Sequence, residues 1–110
     1  MTESLAPPDP ADLSQLDELR DLGSRLELPH PVSALLEFAS EKEALLAVDA
    51  LARDGFACKV RALPDGRWSL RATSRLVPTP GTITRLRERL GASCETLNGT
   101  YVGWDAPPVY

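Results

Sequence analysis

Four cations cluster in the middle of the chain, Lys59 and Arg61 before a Leu-Pro-Asp-Gly turn and Arg67 and Arg71 after it. In an extended chain, residues two apart share a face, so this spacing gathers ammonium and guanidinium groups on one surface. Such a surface can dock an acidic peptide or an RNA backbone, which arginine serves through its planar fork. The plainer use is a solvated face, partly neutralised by Glu37 on a neighbouring strand. A second group is aromatic: Tyr101 and Trp104, three apart, with Gly103 between them in the closing stretch "NGTYVGWDAPPVY". Rings of this kind either seal a core, the phenol and indole finding local hydrogen bonds, or anchor a protein interface. Gly103 has no side chain to obstruct the Trp ring from folding back over the sheet edge, and Asp105 and the prolines then hold the tail away from the sheet.

Catalytic patterns are missing. No nucleophile has a base partner, no glycine loop could cradle phosphate, and no paired acids mark a cleft, so an enzyme is not expected. One histidine, two cysteines and no Cys-x-x-Cys leave too few ligands for structural zinc, and no cofactor is implied. His30, between two prolines, reads as a loop residue. Asn98-Gly99-Thr100 has the spacing of a glycosylation acceptor, idle in a cytoplasmic protein.

The 110 residues allow one domain with a real core. Hydrophobic content of 43% and charged content of 25% are those of an ordinary globular protein. No apolar run approaches the roughly 18 to 20 residues that span a bilayer, and the first ten residues lack a signal-peptide pattern, so the expected compartment is the cytoplasm. The net charge of −4 conceals segregation. Residues 56–93 hold eight bases and two acids, whereas residues 1–30 hold seven acids and two bases. Segregation of this kind marks a partner-facing surface.

The elements that must position these groups follow from periodicity. Residues 1–30 read as a mobile, proline-rich leader and a helix capped by Asp9, with Leu13, Leu16, Leu19 and Leu22 at spacing three and Gly23 at its end. This helix is expected to dock on the domain. Val32, Ala34, Leu36 and Phe38 alternate as one face of a strand. Ser40 to Glu43 is a capping box, followed by Leu45, Val48, Leu51 and Ala52 at helical spacing up to Gly55.

Pro64, Asp65 and Gly66 turn a hairpin. Its strands put Phe56, Cys58, Val60, Trp68, Leu70 and Ala72 on one side and the cations on the other. Thr79 and Pro80 start a helix with Ile83, Leu86 and Leu90 buried, Gly91 stopping it, and Arg85, Arg87 and Arg89 on a solvated outer face. A last strand surrounds Thr100 to Trp104. The order strand, helix, strand, strand, helix, strand predicts an α+β, ferredoxin-like antiparallel sheet with helices on one face and spatial strand order four, one, three, two. That order sets Cys58 and Cys94 near opposite edges, too far for a disulfide, so both thiols are expected free.

A short apolar strand, a helix ending in Asp54-Gly55-Phe56, a hairpin, a second helix and then "YVGWDAP" resembles the family of the regulator of ribonuclease activity B, RraB. The resemblance runs from about Val32 to Pro107 and rests chiefly on Tyr101, Gly103 and Trp104, with Gly55 as a weaker marker. It implies a ferredoxin-like, non-catalytic domain over residues 31–107 with a tail at 108–110. It also implies a protein inhibitor of ribonuclease E. Val102 stands where an acid is usual in that family. Lys59, Arg61, Arg67, Arg71, Tyr101 and Trp104 are the candidate partner-binding residues.

Two alternatives use the same residues: a nucleic-acid or acidic-partner binding module on the open basic face, and a self-associating domain forming homodimers. RNA-recognition domains of this topology stack bases on aromatics of the central strands, but Ser33, Leu35, Glu37, Ser69, Arg71 and Thr73 offer no ring. RNA is therefore the less favoured partner.

Overall fold

A computed structural model describes residues 7–110. The leader expected at the start of the chain falls largely outside the described residues. Three helices, α1 (Pro10–Asp21), α2 (Glu41–Arg53) and α3 (Pro80–Glu95), alternate with four strands, β1 (His30–Phe38), β2 (Ala57–Ala62), β3 (Trp68–Leu76) and β4 (Gly99–Asp105). The antiparallel sheet has the order β2-β3-β1-β4, the spatial order anticipated from the sequence. β1 is central. It pairs along its whole length with β3, from His30 opposite Leu76 to Phe38 opposite Trp68.

Alternation fixes which face is covered. Val32, Ala34, Leu36 and Phe38 of β1 and Leu70 and Ala72 of β3 are buried, and Cys58, Val60 and Trp68 pack around them. Lys59, Arg61, Arg71 and Arg75, one residue out of phase, are exposed on the opposite face. The hairpin joining β2 to β3 is closed by the Leu63 N–H on the Arg67 carbonyl at 2.7 Å, with Gly66 at φ +89° in the left-handed region that glycine tolerates best.

Helix faces depart from the expected stripes in an instructive way. On α1, Leu16 and Leu19 are buried while Leu13 and Leu22 are exposed, and Asp12 takes the remaining inward position. A strict spacing of three drifts around a helix of 3.6 residues per turn, whereas Asp12, Leu16 and Leu19, at offsets of four and three, stay on one face. On α2 the buried residues are Ala44, Ala47 and Leu51, with Leu45 about half exposed. The alanines let that helix lie close to the strands. Gly55, at φ +91°, ends the turn after α2.

α3 does not stop at Gly91. It continues one turn to Glu95 because Cys94 is buried and closes the apolar stripe begun by Ile83, Leu86 and Leu90. Both cysteines are free. No helix among the described residues is long and apolar enough to cross a membrane.

Candidate functional site

The cations chosen from the sequence come together on the uncovered face of the sheet. Lys59 lies opposite Arg71, which lies opposite Leu35 on β1, which in turn lies opposite Gly103 on β4, so one row crosses all four strands. The adjacent row reads Arg61, Ser69, Glu37, Thr100. The side chains of Leu35, Lys59, Arg61, Ser69 and Arg71 line a shallow trough on this face. Arg67 pairs with Glu37, as the sequence suggested, and Arg71 donates to Asp105 at 2.9 Å. Both pairs are solvent-exposed and contribute little to stability. Arg75, which strand alternation assigns to the same side although it is not among the candidate binding residues, extends the face beside Pro31. Five bases against two acids leave it with an excess of three positive charges on a protein of net charge −4.

Tyr101 and Trp104 are not on this face. β4 carries an irregularity: Leu36 faces Tyr101 and Leu35 faces Gly103, so Val102 is an extra residue in the ladder. In a regular strand, side chains three apart point to opposite sides; the bulge restores both rings to the covered side. Trp104 is 4% exposed. Its indole N–H donates to Asp12 at 3.0 Å, and its carbonyl accepts from the Gln15 side chain. The ring therefore fastens α1 to β4, and the fold-back over the sheet edge expected from Gly103 does not occur. A Cβ on Gly103 would meet no atom within 4 Å.

Asp12 is the hub that sequence reasoning missed. It also accepts from the guanidinium of Arg87 at 2.7 and 3.1 Å, so Arg87 is no outer-face solvated residue. The Arg87 guanidinium lies 5.1 Å from the centroid of the Tyr101 ring, a cation–π contact. Its hydrogen bond with Asp12, beside that carboxylate's charge, raises the Arg87 pKa. The Tyr101 hydroxyl is buried with no hydrogen-bond partner among the described residues. Burial pushes its pKa up to about 12, partly opposed by the nearby Arg87 charge. An acid at the helical offset of two buried leucines was the sequence signal for this cluster.

The tail and His30 also differ from expectation. His30 begins β1 and is fully buried. Its Nδ1–H donates to the Leu28 carbonyl at 2.7 Å, which leaves Nε2 to accept from Ser24 Oγ at 2.7 Å. Ser24 Oγ in turn accepts from the Val109 N–H at 2.9 Å, and the Arg25 N–H donates to the Val109 carbonyl at 2.7 Å. The prolines thus lead the tail onto the loop before β1, while Asp105 turns to the open face. An apolar cleft between α1 and Val77–Pro80 carries no polar pattern that selects a ligand. Among the described residues, no three His, Cys, Asp or Glu are grouped to hold a metal ion.

The sheet face can attract and orient an anionic surface; it offers no acid, base or nucleophile arranged to break a bond. Comparison with curated proteins returned no match. A family model described as regulator of ribonuclease activity B, RraB, matches residues 11–106, a span that includes α1 as well as the sheet.

Proposed function

Because the chain belongs to the RraB family, a family of regulators of ribonuclease activity, we propose that it is a non-catalytic protein that inhibits a ribonuclease E-type endoribonuclease by stoichiometric binding in the cytoplasm. The observation that carries this reading is the open sheet face, whose positive excess contrasts with the acidic whole. The element order and the sheet order support reading the domain as ferredoxin-like. On this view residues 31–107 make the binding domain, residues 1–30 add its first helix, and residues 108–110 are its tail.

Lys59, Arg61, Arg67 and Arg71 touch the partner, and inhibition follows from covering a surface of the nuclease. Tyr101 and Trp104 act beneath the sheet as positioning residues that hold β4 against α1. Flat, charged faces of this kind steer association and fix register more than they add affinity. The test is titration of the nuclease with this protein. Activity should fall linearly to a plateau at a fixed molar ratio, and an unchanged rate at saturating protein would refute the proposal.

A further inference from the structure

The open face is more specific than a patch of positive charge. Lys59 stands directly across from Arg71, a like-charge cross-strand pair that costs stability. Arg71 and Arg67 are drawn away to Asp105 and Glu37, yet Lys59, Arg61 and Arg75 have no ion-pair partner among the described residues. By contrast, Arg20 of α1, Arg53 of α2 and Arg87 and Arg89 of α3 are paired, and off this face only Lys42 and Arg85 lack a partner among the described residues. Three of the five unneutralised side-chain cations among the described residues thus lie on this one face, and one of them stands directly across from Arg71.

At the other end of the same row the chemistry is aliphatic. Leu35 is half-buried, Gly103 opposite it carries no side chain, and Val102, next to Gly103 at the bulge, is 53% exposed. Neither packing nor backbone explains that glycine. A Cβ there would meet nothing within 4 Å, and its φ lies outside the left-handed region. The missing side chain opens room for a group from outside.

We propose that this face binds an acidic polypeptide segment in which carboxylates stand about three residues to one side of an aliphatic side chain. The carboxylates pair with Lys59 and Arg61, and the aliphatic group seats over Leu35 and Gly103. From Lys59 to Leu35 is two strand spacings, roughly 10 Å, which an extended segment crosses in about three residues. An acid and an aliphatic residue about three positions apart therefore match the row. RNA fits less well. No ring on this face can stack a base, and a ribose-phosphate chain carries no aliphatic group to seat over Leu35 and Gly103. The inference rests on the ribonuclease reading only for which protein carries the segment.

The experiment is fluorescence anisotropy on the full chain with three labelled probes: a short peptide with two glutamates about three residues to one side of a leucine, the same peptide with serine for leucine, and a single-stranded RNA of equal net charge. The leucine peptide should bind most tightly. K59E/R61E should weaken it on the order of tenfold, D105N should tighten it by freeing Arg71, and G103V should erase the preference for leucine over serine. Circular dichroism of each variant checks folding, with G103A as the milder substitution. Tighter binding of RNA, equal binding of the two peptides, no detectable peptide binding, or indifference to charge reversal would each overturn the proposal. If the peptide binds as described and the nuclease is not inhibited, the ribonuclease reading fails while this one stands. If inhibition occurs and the leucine peptide does not compete, the reverse holds.

Discussion

Trp104 and Asp12 meet across 92 residues of sequence, the indole N–H donating to a carboxylate oxygen at 3.0 Å. The same carboxylate holds Arg87, so one buried acid joins α1, α3 and β4. Replacing Asp12 by alanine leaves an indole donor unpaired in the core and frees a half-buried guanidinium. A loss of about 2–3 kcal/mol is expected in urea unfolding, discounted for the partial exposure of Arg87. Asp12→Asn keeps an acceptor for the indole and should cost less than alanine. Trp104→Ala, which empties the core position itself, should cost about 3–5 kcal/mol.

Tyr101 gives a pH signature. Its folded pKa, about 12, lies above the ordinary phenol value of 10, so the folded protein holds the proton more tightly than the unfolded chain. Stability from this group is complete below pH 10 and is lost as pH rises through 12. Ultraviolet titration in a Tyr110→Phe background should therefore place phenolate formation above the ordinary range, and unfolding should release it. Because the hydroxyl is buried without a partner, Tyr101→Phe should match or exceed wild-type stability, by up to about 1 kcal/mol.

Gly99 is required by close approach. A Cβ at this position would sit 2.5 and 2.7 Å from ring carbons of Phe38, itself buried, and 3.2 Å from the Glu37 carbonyl. Gly99→Ala must push the ring or separate β4 from β1. Thermal melts should show a loss of about 1–3 kcal/mol. Gly103→Ala, with open space around it, should melt close to wild type.

Local pattern made much of this molecule legible, and the limits are physical. Period two in the hairpin assigned Trp68, Leu70 and Ala72 to the covered side and Lys59, Arg61 and Arg71 to the open one, because strand alternation needs no knowledge of tertiary contacts. Asp9, Ser40 and Thr79 marked helix starts for the same reason: a capping side chain bonds the backbone of its own turn. What was not legible depends on partners distant in sequence. Asp12 looked like any first-turn acid until Trp104 and Arg87 arrived beside it. His30 looked like loop because its stabilising partners, Ser24 and the Leu28 carbonyl, need the chain to curl back. The bulge at Val102 reverses the phase of β4, and three-residue spacing alone could not reveal it.

Reversal of two of the three unpaired cations on the open face tests the account most directly. A ribonuclease E-type enzyme would be titrated with wild-type protein and with Lys59→Glu/Arg61→Glu, while Asp12 and Trp104 remain intact and circular dichroism confirms the fold. Removing Lys59 from its place opposite Arg71 relieves repulsion, so the variant should be at least as stable as wild type. It should nevertheless lose inhibition, shifting the inhibition midpoint at least about tenfold, whereas wild type reaches its plateau at a fixed ratio. A folded variant that inhibits as strongly as wild type would contradict the assignment of the open sheet face as the contact surface.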